Sequence, residues 1–239
     1  MLRHIGAKRS FLHNLRLAVL LSLNAGFINA AGFLAFAVLT TNVTGHAALL
    51  AVNIANYKWR TARMVALWLF LFLAGAFTSS MYIRKTGANK PYAYSIPIIG
   101  IMLILGFVIM FGNEYDGSLV KTEYFAGSLL FAMGMQNALV SMISGSVVRT
   151  THLTGMFTDL GIDLSAAFHK PNHTDKSLRR KIILRLSIII CFLLGGISGG
   201  LLFVRYRYVA FFVPIGLLLV ALFYDYFRIR LTHTIRHKF

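Results

Sequence analysis

Two six-residue segments, Thr40-Thr41-Asn42-Val43-Thr44-Gly45 and Thr150-Thr151-His152-Leu153-Thr154-Gly155, stand 110 residues apart and share four identities. A threonine hydroxyl caps a helix by accepting a bond from a backbone N–H two or three positions further on. Thr41 or Thr44 in the first copy, and Thr151 or Thr154 in the second, can take that role, with Thr40 and Thr150 completing each cluster. Gly45 and Gly155 would allow the tight turn or close approach that an interrupted helix needs. The free N–H groups and positive dipole end of such a helix favour an anion or a carboxylate-bearing solute. The plainer reading is that the hydroxyls satisfy the break and the glycines let helices pack.

Asp159 and Asp163, four residues apart, share one helical face. The first half has Leu49 and Asn53 at the aligned positions. A carboxylate inside a membrane is a candidate proton or cation relay, and Asp159 is the stronger of the two. Pairing with Arg149, or cytoplasmic water at the helix end, is the alternative, above all for Asp163. Asn53, Arg149 and Asn137 complete the expected polar lining. Asn24, Asn29 and Gln136 can line a cavity or hydrogen-bond across helices, the commoner use. His46 and His152 flank the breaks but form no closed ligand set, so no metal and no cofactor are expected.

The elements that must position these residues follow from composition. Of 239 residues, 57% are hydrophobic and 13% charged, with a mean hydropathy of +0.70; soluble domains carry about 25% charged residues. An ordinary soluble enzyme is excluded. The net charge of +17 lies in clusters between apolar runs, which suggests membrane orientation and not nucleic acid binding. No Ser/His/Asp or phosphate-loop constellation appears, so enzymatic activity is not expected.

A helix rises about 1.5 Å per residue, so a core of about 30 Å takes roughly 20 apolar residues. Six stretches qualify: 17 to 39, 64 to 83, 92 to 112, 124 to 148, 182 to 204 and 207 to 227. Two shorter ones, 46 to 57 and 156 to 168, suit broken or half helices. The expectation is an all-α polytopic bundle of about six spans plus two half helices, with eight spans as the alternative. Lysine and arginine divide 18 to 6 in favour of the cytoplasm under either topology, so charge alone does not choose. Both place the termini in the cytoplasm, together with a basic loop from 169 to 185 and a basic tail from 228 to 239. The lone Cys191 sits in an apolar span, which excludes an intrachain disulfide.

The match around the threonine segments extends along the chain. Each copy follows a long span and precedes a short segment, then a span rich in small residues (Ala74 to Ser80; Gly195 to Gly200), then a span with an early proline, Pro97 or Pro214. One membrane domain over 1–239 thus contains two repeats, 14–113 and 123–227. Three crossings per repeat would invert one half relative to the other, and transporters built so bring broken helices together near the midplane. The small-residue faces suit packing between halves or in a homo-oligomer.

The order of span, TTNVTG, small-residue span, then Gly134-Met135-Gln136-Asn137-Ala138 and Val148-Arg149-Thr150-Thr151-His152-Leu153-Thr154-Gly155 resembles the YoaK family of bacterial membrane proteins. That family often has Asn at the position of His46 and Asp at that of Asn29. The resemblance implies the bacterial cytoplasmic membrane and no established substrate. A small secondary transporter or permease is the expected function. The alternative is a non-transporting protein that assists assembly or contacts anionic lipid through its basic loop.

Overall fold

The computed structural model describes residues 11–87, 90, 93–169 and 175–223, and every regular element among them is helical. The helices are α1 (Phe11–Phe36), α2 (Val43–Ala55), α3 (Trp59–Thr86), α4 (Ser95–Phe111), α5 (Leu119–Ser144), α6 (Leu153–His169), α7 (Lys176–Tyr206) and α8 over 212–223. Five helical stretches are long and apolar enough to cross a bilayer: Phe11–Phe36, Trp59–Thr86, Ser95–Glu114, Leu119–Ser144 and Lys176–Phe223. The last covers two expected spans, because α7 stops where Arg207 takes a φ of 51° and a 3-10 turn leads into α8. Residues 224–227 of the sixth expected span and the tail 228–239 lie outside the described residues.

One expected loop is largely helix. The basic stretch from 169 to 185 is helical from Lys176 onward, because Lys, Arg, Leu and Ile continue a helix while their cations reach water. Residues 170–174 lie outside the described residues. The half helices begin three residues earlier than expected, at Val43 and Leu153. At about 1.5 Å per residue they measure about 20 and 26 Å, short of a full crossing.

Helix directions follow from contacts between helices. On α1 and α7, Leu23 meets Gly195 and Phe27 meets Gly199, so the two run parallel. On α3 and α5, Leu71 meets Gly127 and Phe131 meets Gly75, again parallel. Between α1 and α5, Asn24 bonds Gln136 while Phe36 stacks on Phe125 at 5.3 Å, so these run antiparallel. Helix α4 opposes α5, with Gly100 beside Met135 and Phe107 stacked on Phe125. Thus α1, α4 and α7 run one way and α3 and α5 the other. Eight crossings would require α3 to follow the direction of α1, so α2 and α6 return to the face their chain has just reached.

The core forms where α1 packs on α7 and α3 on α5. Both seams close through glycine: a Cβ on Gly26 would overlap the Phe192 carbonyl, and one on Gly195 that of Leu23. In the other seam, Gly134 meets the Phe72 carbonyl and Gly75 that of Phe131. Such absence of a side chain lets backbones approach closely in lipid. The small-residue faces expected to serve packing are therefore occupied within the chain at Gly75, Gly195 and Gly199.

Candidate functional site

After α1 ends, with Ala37 left-handed at φ 57°, the chain folds back beside its own helix. The backbone N–H of Thr41 donates to Asn29 Oδ1 at 3.1 Å. Asn29 lies seven residues, about 10 Å, before the end of α1. The second copy does the same. Beyond α5, Gly145 and Ser146 are left-handed, and Thr151 Oγ1 donates to Asn137 Oδ1 at 2.9 Å. Asn137 lies seven residues, again about 10 Å, before the end of α5. Because α1 and α5 are antiparallel, the two threonine segments enter the bundle from opposite faces.

They meet in one cavity of about 460 Å³. Thr41, Thr44, Thr151 and Thr154 line it with Asn29 and Asn137, and Phe72 and Phe192 form apolar walls. Thr41 N–H needs an oxygen, so the Asn29 carboxamide turns its Nδ2 donors elsewhere; Asn137 spends its Oδ1 in the same way. With the backbone starts of α2 and α6 alongside, the polar lining is made of threonine hydroxyls and asparagine amides and holds no carboxylate. Chemically it suits a small anion or a carboxylate group.

The cap of α2 is not one of the expected threonines. Asn42 caps α2, its side chain accepting from the Gly45 N–H at 3.0 Å, because it stands immediately before the first helical residue and Asn is among the favoured caps. At the aligned position, His152 lies over Gly155 just as Asn42 lies over Gly45. Gly45 and Gly155 therefore provide close approach, and neither turns the chain: both sit in the first helical turn, while the left-handed residues are Ala37, Gly145 and Ser146. Thr40 and Thr150 are fully buried and line neither this cavity nor the basic pocket described next.

Asp159 and Asp163 do not reach the cavity. Arg185 on α7 donates to Asp159 Oδ2 at 3.2 Å, to the Asp159 carbonyl at 2.9 Å and to Asp163 Oδ2. Arg185, not Arg149, is their partner, and Asp163 is the more buried of the two. Asp159 and Arg149 instead line a second pocket of about 480 Å³ between α6 and α7, with Lys181 and Arg185. His152 borders both pockets. Asn53 returns its amide to the Leu49 carbonyl of its own helix and lines neither.

His46 is buried, donates through Nε2 to the Leu39 carbonyl at 2.8 Å and packs on Trp68. Among the described residues, no group of three or more His, Cys, Asp or Glu is placed to hold a metal ion. Asn24 and Gln136 bond across helices. The motifs did not mark the lining residues Phe72 and Phe192, which sit opposite the glycines of the seams, or the capping role of Asn42. Alignment of the two threonine segments pairs Asn42 with His152 directly.

Apolar helices of crossing length define a polytopic helical membrane protein. The chain belongs to the family described as protein of unknown function (DUF1275), matched over residues 17–224. No curated protein matches the chain, and no solved structure does.

Proposed function

We propose that the protein is a small secondary transporter or permease of the bacterial cytoplasmic membrane, with its solute site at the paired threonine segments. The observation that carries this reading is that two segments 110 residues apart line a single cavity about 10 Å inside the helix ends. Non-helical backbone at such depth is tolerated where protein or water satisfies it. The solute class is a small anion, most simply a carboxylate, because the lining carries hydroxyls, amides and the starts of two helices but no carboxylate.

Repeats 14–113 and 123–227 form, in this proposal, an inverted pair. Three correspondences support it: α1 and α5 are antiparallel, Asn29 and Asn137 hold equivalent threonines, and the glycine seams are reciprocal. Helix directions bring Arg84, Lys85, Arg149 and Lys176 to the face where α1 begins, which favours cytoplasmic termini. The YoaK resemblance agrees with this family and location. Coupling through Asp159 requires it to release Arg185 during the cycle.

The test is uptake into proteoliposomes of a panel of radiolabelled small carboxylates and inorganic anions. Thr151→Val and Asn137→Ala should each reduce flux tenfold or more, about the worth of a lost charge-assisted hydrogen bond. Wild-type flux in both variants, with any panel member that is carried, would refute the site. The second reading, a lipid-interacting or assembly factor, draws on the exposed cations at the start of α7, Lys176, Arg179, Arg180 and Lys181. Neutralising them should abolish function without changing flux if that reading holds.

A further inference from the structure

The pocket between α6 and α7 has a counterpart in the first half. The threonine segments align at an offset of 110 residues, and the reciprocal glycines (Gly75 with Gly195, facing Phe131 and Leu23) align α3 with α7 at 120. On that correspondence Arg149 replaces Leu39, Asp159 replaces Leu49, Lys181 replaces Thr61 and Arg185 replaces Val65. The first half closes the same junction without any of these charges: His46 donates to the Leu39 carbonyl and Trp68 packs against its ring at 5.3 Å. The fold therefore does not require charges at this junction, yet the second half carries four of them around an open pocket of about 480 Å³.

The charges are not mutually spent. Arg185 is held by Asp159 and Asp163, a group of net charge −1. Arg149 and Lys181 are exposed and pair with no carboxylate among the described residues. The pocket as a whole thus carries an excess of one positive charge, presented by two cations on separate elements. Leu184 and Ile188 of α7 and Met156 of α6 give it an apolar floor. It lies on the side of the bundle where α5 ends and α7 begins.

We infer that this pocket is a binding site for a singly charged phosphate group, gripped between Arg149 and Lys181, as a phospholipid headgroup or as free phosphate. The inference uses the repeat correspondence but not transport. Two cations from different elements line the one pocket, where a guanidinium can offer an anion paired donors and an ammonium a point charge. The Asp159–Arg185 clasp sets one wall and keeps that carboxylate from the anion.

The experiment uses the full chain in a neutral detergent. One arm measures retained phosphatidylglycerol against phosphatidylcholine by native mass spectrometry; the other measures equilibrium binding of radiolabelled orthophosphate. The wild type should bind in at least one arm, and Arg149→Gln with Lys181→Gln should weaken that binding about tenfold or more. The control pair, Arg60→Gln with Arg63→Gln, removes two exposed cations from the start of α3 and should change it less than about twofold by the weak worth of screened surface charge. Binding confined to the lipid arm assigns a headgroup, and binding confined to the phosphate arm assigns a free anion. No binding in either arm, or an equal loss in the control pair, overturns the site. Each single substitution of Arg149 or Lys181 is measured alongside, and both must weaken binding.

Discussion

Asn24 on α1 donates through Nδ2 to Oε1 of Gln136 on α5 at 2.6 Å, where two antiparallel helices cross with both side chains fully buried. Gln136 Nε2 then donates to the Leu21 carbonyl at 2.9 Å, so the amide pair ties the second half to the backbone of the first. Replacing Gln136 by Leu strands the Asn24 donor and should cost about 1–3 kcal/mol. In the pair Asn24→Leu and Gln136→Leu the loss should be smaller than the sum of the single losses, since no amide is left unpaired. Thermal unfolding in detergent reads both, and strict additivity would contradict the coupling.

The glycine seams predict opposite signs for one substitution. Gly75→Ala and Gly195→Ala drive a methyl into the carbonyls of Phe131 and Leu23 and should each destabilise by about 1–3 kcal/mol. At Gly106, in α4, an added Cβ meets nothing within 4 Å, so Ala there should stabilise by about 0.5–1 kcal/mol. Midpoints of the three variants in one detergent decide it.

Ala37 takes a left-handed conformation at φ 57° where α1 ends. An L-residue held there costs about 1 kcal/mol or somewhat more. Ala37→Gly should therefore raise stability, less whatever the freer unfolded chain takes back. Ala37→Val should lower it further still, and the order Gly above Ala above Val is what a thermal series has to return.

The clasp at Arg185 should not be shared equally by its members. Side-chain exposure is 11% at Asp163, 20% at Arg185 and 45% at Asp159. Arg185→Ala leaves the buried Asp163 unpaired and should cost about 3 kcal/mol or more. Asp163→Asn should cost less, and Asp159→Asn least, since half-exposed pairs are worth about 0–1 kcal/mol. Denaturation midpoints in the order Asp159→Asn, Asp163→Asn, Arg185→Ala would bear this out.

The turn before α5 carries a pH dependence. Asp116 accepts from the Ser118 N–H at 2.9 Å and faces Lys121 at 3.1 Å. Those contacts, the backbone N–H first and then the Ser118 hydroxyl and Lys121, hold its pKa down at about 2. A lowered carboxylate pKa stabilises the turn above the ordinary aspartate value, and that contribution fades as pH falls toward about 2. Amide exchange at Ser118 and Lys121 should therefore be protected, relative to unstructured peptide, at pH 5 and lose protection below about pH 3. Asp116→Asn should flatten that profile.

The sequence by itself determined the class. Apolar run lengths require membrane-crossing helices, because lipid offers backbone groups no partner but each other. It also set apart the two runs of about 12 residues as too short to cross, and both are short helices. It misplaced the cap of α2 because Asn and Thr at neighbouring positions are both competent acceptors, and only the helix start selects one. What the tertiary structure decided is everything that depends on helix direction. That Asn29 and Asn137 face one cavity, that Arg185 and not Arg149 claims both aspartates, and that the glycine seams close inside the chain are contacts between residues far apart in sequence. Periodicity within a helix constrains which face is apolar, but not which other helix that face will meet.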